Sequence, residues 1–220
     1  MSADRFADLL LGKRLLIFDF DGTLVDSSPL HARAFSAAFA PLGITVDYER
    51  IAGITTPAAV DKLLAEAGLD LPPEQRQALV RDKQQHVLAL LQAELKPLDG
   101  AVEFLQAARS RYRLALCTSG SLRSVSAALA KTGLAGMFDP LVTAEDVQRS
   151  KPDPEGYLLA LRTAGFAPAE ALIFEDAESG LAAARAAGID AVHIVPQGQA
   201  VAPGQADWAT LNRALAAVPA

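Results

Sequence analysis

The stretch LLIFDFDGTLVDSS at residues 15–28 decides the predicted fold. Its first four residues are apolar and show no helical spacing, which is typical of a parallel strand buried on both faces. Asp19 and Asp21 follow directly, and Gly22 with Thr23 predicts a turn after them. Ligands of open α/β sheets bind beyond the carboxyl ends of the strands. We therefore expect the functional site at this acidic pair, although a simple polar turn also fits this stretch taken alone.

The composition is that of a globular protein with one main domain and a smaller module. The chain has 220 residues, of which 51% are hydrophobic and 21% are charged. This length is long for one compact core and short for two ordinary ones. The net charge of -6 provides no basic surface, which argues against nucleic acid or an anionic membrane as a partner.

The cysteine content and the length of the apolar runs indicate where in the cell the protein is located. Cys117 is the single cysteine of the sequence, so an intrachain disulfide is excluded, and we expect this residue in the core. The N-terminal MSADRFADLLLGK contains acidic residues and three consecutive leucines, too few for a signal peptide, and no run is long enough to span a bilayer. We expect a cytoplasmic protein that is a monomer or a small homo-oligomer.

Residues 29–96 are predicted to form an all-helical insert, because they are rich in helix-forming residues and contain no convincing strand. The first helix should end at Pro41 and Gly43, the second should span residues 57–67, and the third should span residues 72–94. The sequence spacing predicts that the third helix buries a face made of Ala78, Leu79, His86, Val87, Leu90 and Leu91.

From residue 97 onward, helices alternate with short apolar strands, which is typical of a parallel sheet with crossover helices. Strands are predicted at residues 114–117, 140–143, 171–174 and 191–195, and helices at residues 100–110, 122–131, 154–164 and 180–187. Residues 197–205 should form a loop, and residues 206–217 a closing helix that carries Trp208. The expected fold is α/β, with a Rossmann-like parallel sheet covered by helices on both faces (residues 1–28 and 97–220) and an inserted helical cap domain (residues 29–96).

Polar groups suited to phosphate chemistry lie at the ends of the predicted strands or just before a helix: Asp19, Asp21, Thr118, Ser119, Gly120, Ser121, Lys151, Glu175 and Asp176. Converging carboxylates raise each other's pKa unless a cation compensates them, and Mg²⁺ prefers oxygen ligands that include substrate phosphate. The hydroxyls and backbone N–H groups of residues 118–121 suit an anion at a helix N-terminus. The sequence therefore predicts a magnesium and phosphate site, with one carboxylate left as a nucleophile.

Four motifs occur in the order of a known family. They are DFDGTLVDS at residues 19–27, LALCTSG ending at residue 120, SKPDPEGY around Lys151 and FEDAESG around Glu175. Together they resemble the motifs of the haloacid dehalogenase superfamily over essentially the whole chain. The helical insert and the Glu-Asp pair are similar to its β-phosphoglucomutase-like and phosphoglycolate phosphatase-like branch, which carries a small helical cap of the first type.

The resemblance implies a role for each motif residue. Asp19 is the expected nucleophile, which becomes phosphorylated and also binds the metal. Asp21 is the expected general acid and base, and its backbone carbonyl is expected to bind the metal. Thr118 and the backbone N–H of Ser119 are expected to bind phosphate oxygens, and Lys151 to neutralise the charge on Asp19 and the phosphoryl group.

The same resemblance implies that Asp176 binds Mg²⁺ directly and that Glu175 assists directly or through water. Gly22 and Gly120 are expected among the substrate-binding positions of the first and second motifs. The phenylalanine between the two aspartates is expected to be a core side chain that faces away from the site.

Within the insert, the resemblance implies that His31 lies near the hinge and that Lys83 reaches the substrate. A partly buried structural histidine and an ordinary solvated lysine are the alternatives. Residues 52–56, with Gly53, Thr55 and Thr56, resemble a substrate-specificity loop. The arginine that grips a second phosphate in mutases is absent there, which weighs against mutase activity. His86 and His193 are expected to be structural.

The predicted function is a Mg²⁺-dependent phosphatase that hydrolyses a small phosphorylated metabolite, such as a sugar phosphate or a phosphoglycolate-like compound, through an aspartyl-phosphate intermediate. A β-phosphoglucomutase-type isomerase is the alternative. A phosphonate hydrolase would need Lys83 to form a Schiff base, and a 2-haloacid dehalogenase would need neither Asp21 nor a metal. An inactive metabolite-binding module is the non-enzymatic reading.

Overall fold

The computed structural model describes residues 3–199 and 202–219, so that residues 200 and 201 of the predicted loop lie outside the described residues. Within the described ranges, six parallel strands form one sheet in the order β3-β2-β1-β4-β5-β6. Their bounds are β1 Leu15–Phe18, β2 Arg113–Cys117, β3 Leu141–Val142, β4 Ala171–Glu175, β5 Asp190–Ile194 and β6 Gln205–Ala206. The α/β class and the parallel sheet are confirmed.

Nine α-helices accompany the sheet in the described part of the chain. They are α1 Ala3–Leu10, α2 Ser28–Phe39, α3 Thr56–Glu66, α4 Pro73–Glu94, α5 Ala101–Ala108, α6 Leu122–Thr132, α7 Glu155–Ala164, α8 Glu178–Ala187 and α9 Trp208–Ala217. None of these helices has the length and apolar character that crossing a membrane requires.

Strand β1 lies at the centre of the sheet and pairs with β2 and β4, so that Ile17 is in register with Ala115 and Ile173. All four side chains of β1 are fully buried. Leu16 and Phe18 pack against the layer that contains α1, α5, α6 and α9, whereas Ile17 packs against the layer of α7 and α8. Burial on both faces explains why the run is apolar at every position rather than at alternate ones.

An aromatic cluster lies between the sheet and the helices α5 and α9. The rings of Phe18 and Phe174, from adjacent strands, stack with centroids 4.8 Å apart, and Phe104 meets Phe174 edge-on at 5.4 Å. Trp208, at the start of α9, stacks at 5.7 Å from Phe174, and its indole N–H donates to the carbonyl of Thr23 at 2.8 Å. The closing helix is thereby fixed against both the sheet and the turn that follows Asp21.

The insert between β1 and α5 consists of α2, α3, α4 and short 3₁₀ turns. Its own cluster of buried residues includes Phe35, Phe39 and Val60. The opposite sides of α2 and α4 join the core instead, through residues such as Ala34 and Val87. The insert therefore packs directly onto the part of the core that carries the strand ends.

Two predictions about the elements were wrong, and one helix was not predicted. Residues 205 and 206 form the edge strand β6 rather than loop and helix, because a two-residue strand produces no apolar pattern. Helix α1 was missed, although its buried Phe6 and Leu10 have helical spacing. Helix α4 buries Lys83 in its apolar stripe, whereas Ala78 and His86 of the predicted face are exposed. His86 Nδ1 lies 2.8 Å from the carbonyl oxygen of Asp82.

The core packing leads to a stability prediction. Leu105 is fully buried under the sheet, so Leu105→Ala should lower the free energy of unfolding by about 2 to 5 kcal/mol through lost contacts and a cavity. Leu11 is 51% exposed, and Leu11→Ala should change this free energy by less than about 0.5 kcal/mol. Urea denaturation of both variants checks the difference, and equal midpoints would contradict this assignment of the core.

Candidate active site

The acidic motif residues lie together at the carboxyl edge of the sheet. Asp19 follows β1 directly, its backbone N–H donates to the carbonyl of Phe174 at 2.9 Å, and Glu175 is the last residue of the adjacent β4. Thr118 follows β2, which flanks β1 on the side opposite β4. The backbone N–H of Thr118 donates to the carbonyl of Val142. The parallel sheet thus brings the ends of three strands to one place, as expected from the sequence.

A buried lysine bridges two of these carboxylates. Lys151 Nζ donates to Asp19 Oδ1 and to Glu175 Oε2, both at 2.6 Å, and to the carbonyl of Cys117 at 3.3 Å. Lys151 is 6% exposed, Asp19 is 4% exposed and Glu175 is fully buried. Burial alone would lower the pKa of Lys151, but Asp19 and Glu175 raise it well above its usual value, so the amine is charged.

Asp19, Glu175 and Asp176 form an acidic cluster in which one ligand atom from each lies within 4.8 Å of the others. Burial, together with repulsion from Glu175, raises the pKa of Asp19 well above its usual range. The same two causes raise the pKa of Asp176 to about 7. A single ammonium does not compensate three carboxyls, so the all-oxygen donor set fits a hard divalent cation such as Mg²⁺.

Two glycines make room for these carboxylates. A Cβ on Gly22, whose φ is +84°, would lie 2.2 Å from Asp176 Oδ2, and a Cβ on Gly180 would lie 1.9 Å from Glu175 Oε2. Only glycine permits these approaches, because any side chain would displace the carboxylate. Asp176 also accepts a hydrogen bond of 2.9 Å from the Thr23 hydroxyl.

Asp21 has a different environment from Asp19. Its Oδ1 accepts a 2.6 Å hydrogen bond from the Ser27 hydroxyl and lies 3.3 Å from His31 Nε2. Burial would raise the pKa of Asp21, but His31 and Ser27 outweigh this effect and lower it to about 2. Its Oδ2 approaches Gly120, since a Cβ there would lie 3.5 Å away. Asp21 is therefore an ionised carboxylate that faces the Thr118–Gly120 turn.

The turn after β2 presents polar groups in front of helix α6. Thr118 is 4% exposed, and its Oγ1 accepts a 3.0 Å hydrogen bond from the N–H of Gly120. The Ser121 side chain caps α6 by accepting from the N–H of Ser124. The site is thus open to an anion at the positive end of a helix.

The insert contributes a second buried lysine. Lys83 is 2% exposed, and its Nζ lies 3.0 Å from His31 Nδ1 and donates to Thr56 Oγ1 at 3.3 Å. Its ammonium also lies 4.6 Å from the centroid of the Phe35 ring. Burial lowers the pKa of Lys83 to about 8, although Asp21 opposes this shift. The alternative of a solvated lysine is therefore wrong, and Lys83 is linked to Asp21 through His31.

Two serines of the core hold the loop at residues 52–55. Ser119 Oγ donates to the carbonyl of Gly53 at 2.8 Å, and Ser179 Oγ donates to the carbonyl of Ala52 at 3.1 Å. Gly53 has a φ of +77°, and a Cβ there would lie 2.3 Å from Ser179 Oγ. The loop therefore needs glycine both for its backbone conformation and for its contact with the core.

One cavity between core and insert gathers most of the residues singled out in the sequence. Those that line it are Asp19, Asp21, His31, Gly53, Thr56, Lys83, Thr118, Ser119, Gly120 and Ser121. Lys151, Glu175 and Asp176 lie outside this lining, in contact with or close to Asp19. Gly22 lies against Asp176, and Thr55 precedes α3 without lining the cavity.

The sequence pattern did not identify several residues of this region. Tyr48 lines the cavity, and Tyr157 donates from its hydroxyl to Glu175 Oε2 at 2.6 Å. Tyr157 stands within the SKPDPEGY motif, but the spacing of that motif does not show where its hydroxyl points. Cys117 is buried in the core as predicted. Phe20 is also buried in the core, but it lines the cavity as well, although it was predicted to face away from the site. His193 is half-buried, and its Nδ1 lies 3.4 Å from Gln205 Nε2.

The chain is similar to known phosphatases. It is 34% identical over 182 residues to the fructose-1-phosphate phosphatase YqaB of Escherichia coli, across 81% of this chain and 95% of the relative. It is 32% identical over 211 residues to a validoxylamine A 7'-phosphate phosphatase of Streptomyces hygroscopicus subsp. limoneus, across 88% of this chain and 91% of the relative.

The fold is shared with solved structures. The crystal structure of CbbY from Rhodobacter sphaeroides in complex with phosphate superposes with a TM-score of 0.77 and 28% identity, covering 90% of this chain and 95% of that one. A family model of haloacid dehalogenase-like hydrolases matches residues 13–188, which include all four motifs. The chain therefore belongs to the haloacid dehalogenase-like hydrolases.

Proposed function

We propose that the protein is a Mg²⁺-dependent phosphatase that hydrolyses a small phosphorylated metabolite through a phosphorylated Asp19. The observation that carries this proposal is the buried Asp19 carboxylate, which is held by Lys151 and shares one cavity with Asp21 and Thr118. A carboxylate nucleophile, an ionisable partner and polar groups for a phosphate are thus in one place.

The relatives support this class of substrate. The Escherichia coli relative is named as a fructose-1-phosphate phosphatase and the Streptomyces relative as a validoxylamine A 7'-phosphate phosphatase. Both names describe the removal of phosphate from a phosphorylated small molecule. The cavity-lining residues of this chain include no arginine that would grip a second phosphate. We therefore propose a substrate with one phosphate group. A β-phosphoglucomutase-type isomerase is the second candidate function.

The carboxylates of Asp19 and Asp176 and the backbone carbonyl of Asp21 are the proposed ligands of Mg²⁺. Glu175 already accepts hydrogen bonds on both oxygens, from Lys151 and Tyr157 on Oε2 and from the Ala177 N–H on Oε1, so its assistance through water is the better fit. When bound, Mg²⁺ neutralises charge on the acidic cluster and on the phosphoryl oxygens.

In the first half of the reaction, an oxygen of Asp19 attacks phosphorus while the ester oxygen leaves. Lys151 and the groups of the Thr118–Gly120 turn balance the negative charge that develops on the phosphoryl oxygens. Asp21 gives a proton to the leaving oxygen. Because Asp21 has a pKa of about 2 here, it must first take up that proton from His31 Nε2, 3.3 Å from Asp21 Oδ1. At the same time His31 Nδ1 takes a proton from the Lys83 ammonium, whose Nζ lies 3.0 Å away, so that the imidazole stays neutral.

In the second half, water hydrolyses the phosphorylated Asp19. Asp21, now a carboxylate again, accepts the proton of the attacking water, and the low pKa that His31 and Ser27 give it keeps it ionised for this step. The products are an alcohol and inorganic phosphate, and Asp19 is regenerated for the next turnover.

We further propose that residues 29–96 act as a cap domain on a core made of residues 1–28 and 97–220. The hydrogen bonds from Ser119 and Ser179 to the loop at residues 52–55 belong to the closed arrangement. Opening breaks these two contacts and admits substrate, and closure excludes bulk water from Asp19.

The proposal is tested by assaying phosphate release from a panel of phosphorylated metabolites with Mg²⁺, beside conversion of β-glucose 1-phosphate to glucose 6-phosphate. We expect release from a subset of monophosphates, loss of that release in EDTA and recovery on adding Mg²⁺. Isomerisation with little phosphate release would contradict the phosphatase in favour of the mutase. Activity that resists EDTA would contradict the metal requirement.

The position of Lys83 predicts a pH effect. Because its pKa is about 8, the ammonium that faces His31 is lost as the pH rises through that value, and kcat/KM should fall there. Lys83→Gln should lower kcat/KM at pH 7 roughly ten- to a hundredfold and remove the decline near pH 8. Lys131 is exposed on α6, so Lys131→Gln should retain the wild-type profile. If kcat/KM of Lys83→Gln still declines near pH 8, the decline does not come from loss of the Lys83 ammonium, and the prediction is contradicted.

A further inference from the structure

Tyr157 is a buried tyrosine that the proposed mechanism leaves without a role. It lies in the first turn of α7, six residues after Lys151, and is 1% exposed. Its hydroxyl donates at 2.6 Å to Oε2 of Glu175, which is fully buried. Burial together with the charge of Glu175 raises the pKa of Tyr157 well above its usual value, so the hydroxyl keeps its proton.

Both oxygens of the Glu175 carboxylate accept hydrogen bonds. Its Oε2 accepts from Tyr157 and from Lys151, and its Oε1 accepts from the N–H of Ala177 at 3.1 Å. The first turn of α8 packs against Oε2 so closely that a Cβ on Gly180 would lie 1.9 Å from this oxygen. Within the described part of the chain, Lys151 and Tyr157 are the two side chains that donate to Glu175.

The position of the Lys151 ammonium depends on Glu175. Lys151 has three N–H donors, and Asp19, Glu175 and the carbonyl of Cys117 use all of them. Its Nζ also lies 5.0 Å from the centroid of the Tyr157 ring. The ammonium is therefore shared between two carboxylates at the same distance, and a change at either one shifts it relative to the other.

We propose that Tyr157 is a positioning residue for the reaction at Asp19. The hydrogen bond from its hydroxyl offsets part of the negative charge on Glu175 Oε2. Glu175 therefore attracts the Lys151 ammonium less strongly, and the ammonium stays in contact with Asp19. Without this donor, Lys151 is the sole side-chain donor to Glu175 Oε2, and the ammonium moves toward Glu175. Asp19 and the phosphoryl group it attacks then lose part of the positive charge that stabilises the transition state. This inference rests on the proposed phosphatase function.

The variant that tests it is Tyr157→Phe, which removes the hydroxyl and keeps the ring over Lys151. In its crystal structure, we expect the distance between Lys151 Nζ and Asp19 Oδ1 to exceed about 3.2 Å, the upper end of an ordinary hydrogen bond. An unchanged distance and an unchanged Glu175 side chain would overturn the proposal. This measurement requires no turnover, so it decides on the positioning role even if the wild-type protein releases no phosphate and the proposed function fails.

Kinetics of the same variant test the consequence. We expect kcat to fall about tenfold while KM changes less than about twofold, since the lost interaction acts in the transition state. The matched control is Tyr112→Phe, because Tyr112 is also buried and its hydroxyl donates to the carbonyl of Leu10 at 3.4 Å, far from the catalytic residues. The control should keep the wild-type kcat. An unchanged kcat in Tyr157→Phe, or an equal loss in both variants, would overturn the proposal.

Discussion

The ammonium of Lys151 lies 2.6 Å from both Asp19 Oδ1 and Glu175 Oε2, and all three side chains are almost completely removed from solvent. Taking a charge out of water costs several kcal/mol, so this arrangement persists only because the three groups compensate one another. Their positions come from separate elements, namely the ends of β1 and β4 and the segment that leads into α7. The sheet order therefore matters to the chemistry, because it makes β1 and β4 neighbours. Three carboxyls near one ammonium leave negative charge uncompensated, and this excess fits a hard divalent cation such as Mg²⁺.

The insert completes the site through a small number of contacts. Lys83 approaches Asp21 through His31, and Ser119 and Ser179 bind two consecutive carbonyls of the loop at residues 52–55. Hydrogen bonds to backbone carbonyls hold the loop without specifying its side chains. In the proposed phosphatase, substrate preference can therefore change through the loop side chains and the rest of the cavity lining without altering these two contacts.

The sequence predicted the features that leave a strong local pattern. The apolar run of β1 ends at Asp19, and the four motifs follow strands or precede helices, so their convergence could be inferred from the rules of parallel sheets. Features that depend on tertiary contacts could not be inferred. A buried Lys83 breaks the apolar stripe of α4, which led to the wrong burial of His86. The two-residue strand β6 has no periodicity, and the Tyr157 hydroxyl, on α7, has its partner at the end of β4.

The central claim is that Asp19 carries the phosphoryl group during turnover. Mass spectrometry of the enzyme quenched in acid during turnover, followed by peptide mapping, tests it most directly. We expect the mass of one phosphoryl group on the peptide that contains Asp19, its loss in hydroxylamine, and its absence in Asp19→Asn. Asp26 has an exposed position in the same segment, so Asp26→Asn should still be labelled at Asp19. A turnover-competent wild-type enzyme that shows no label, or a label on another residue, would contradict the account.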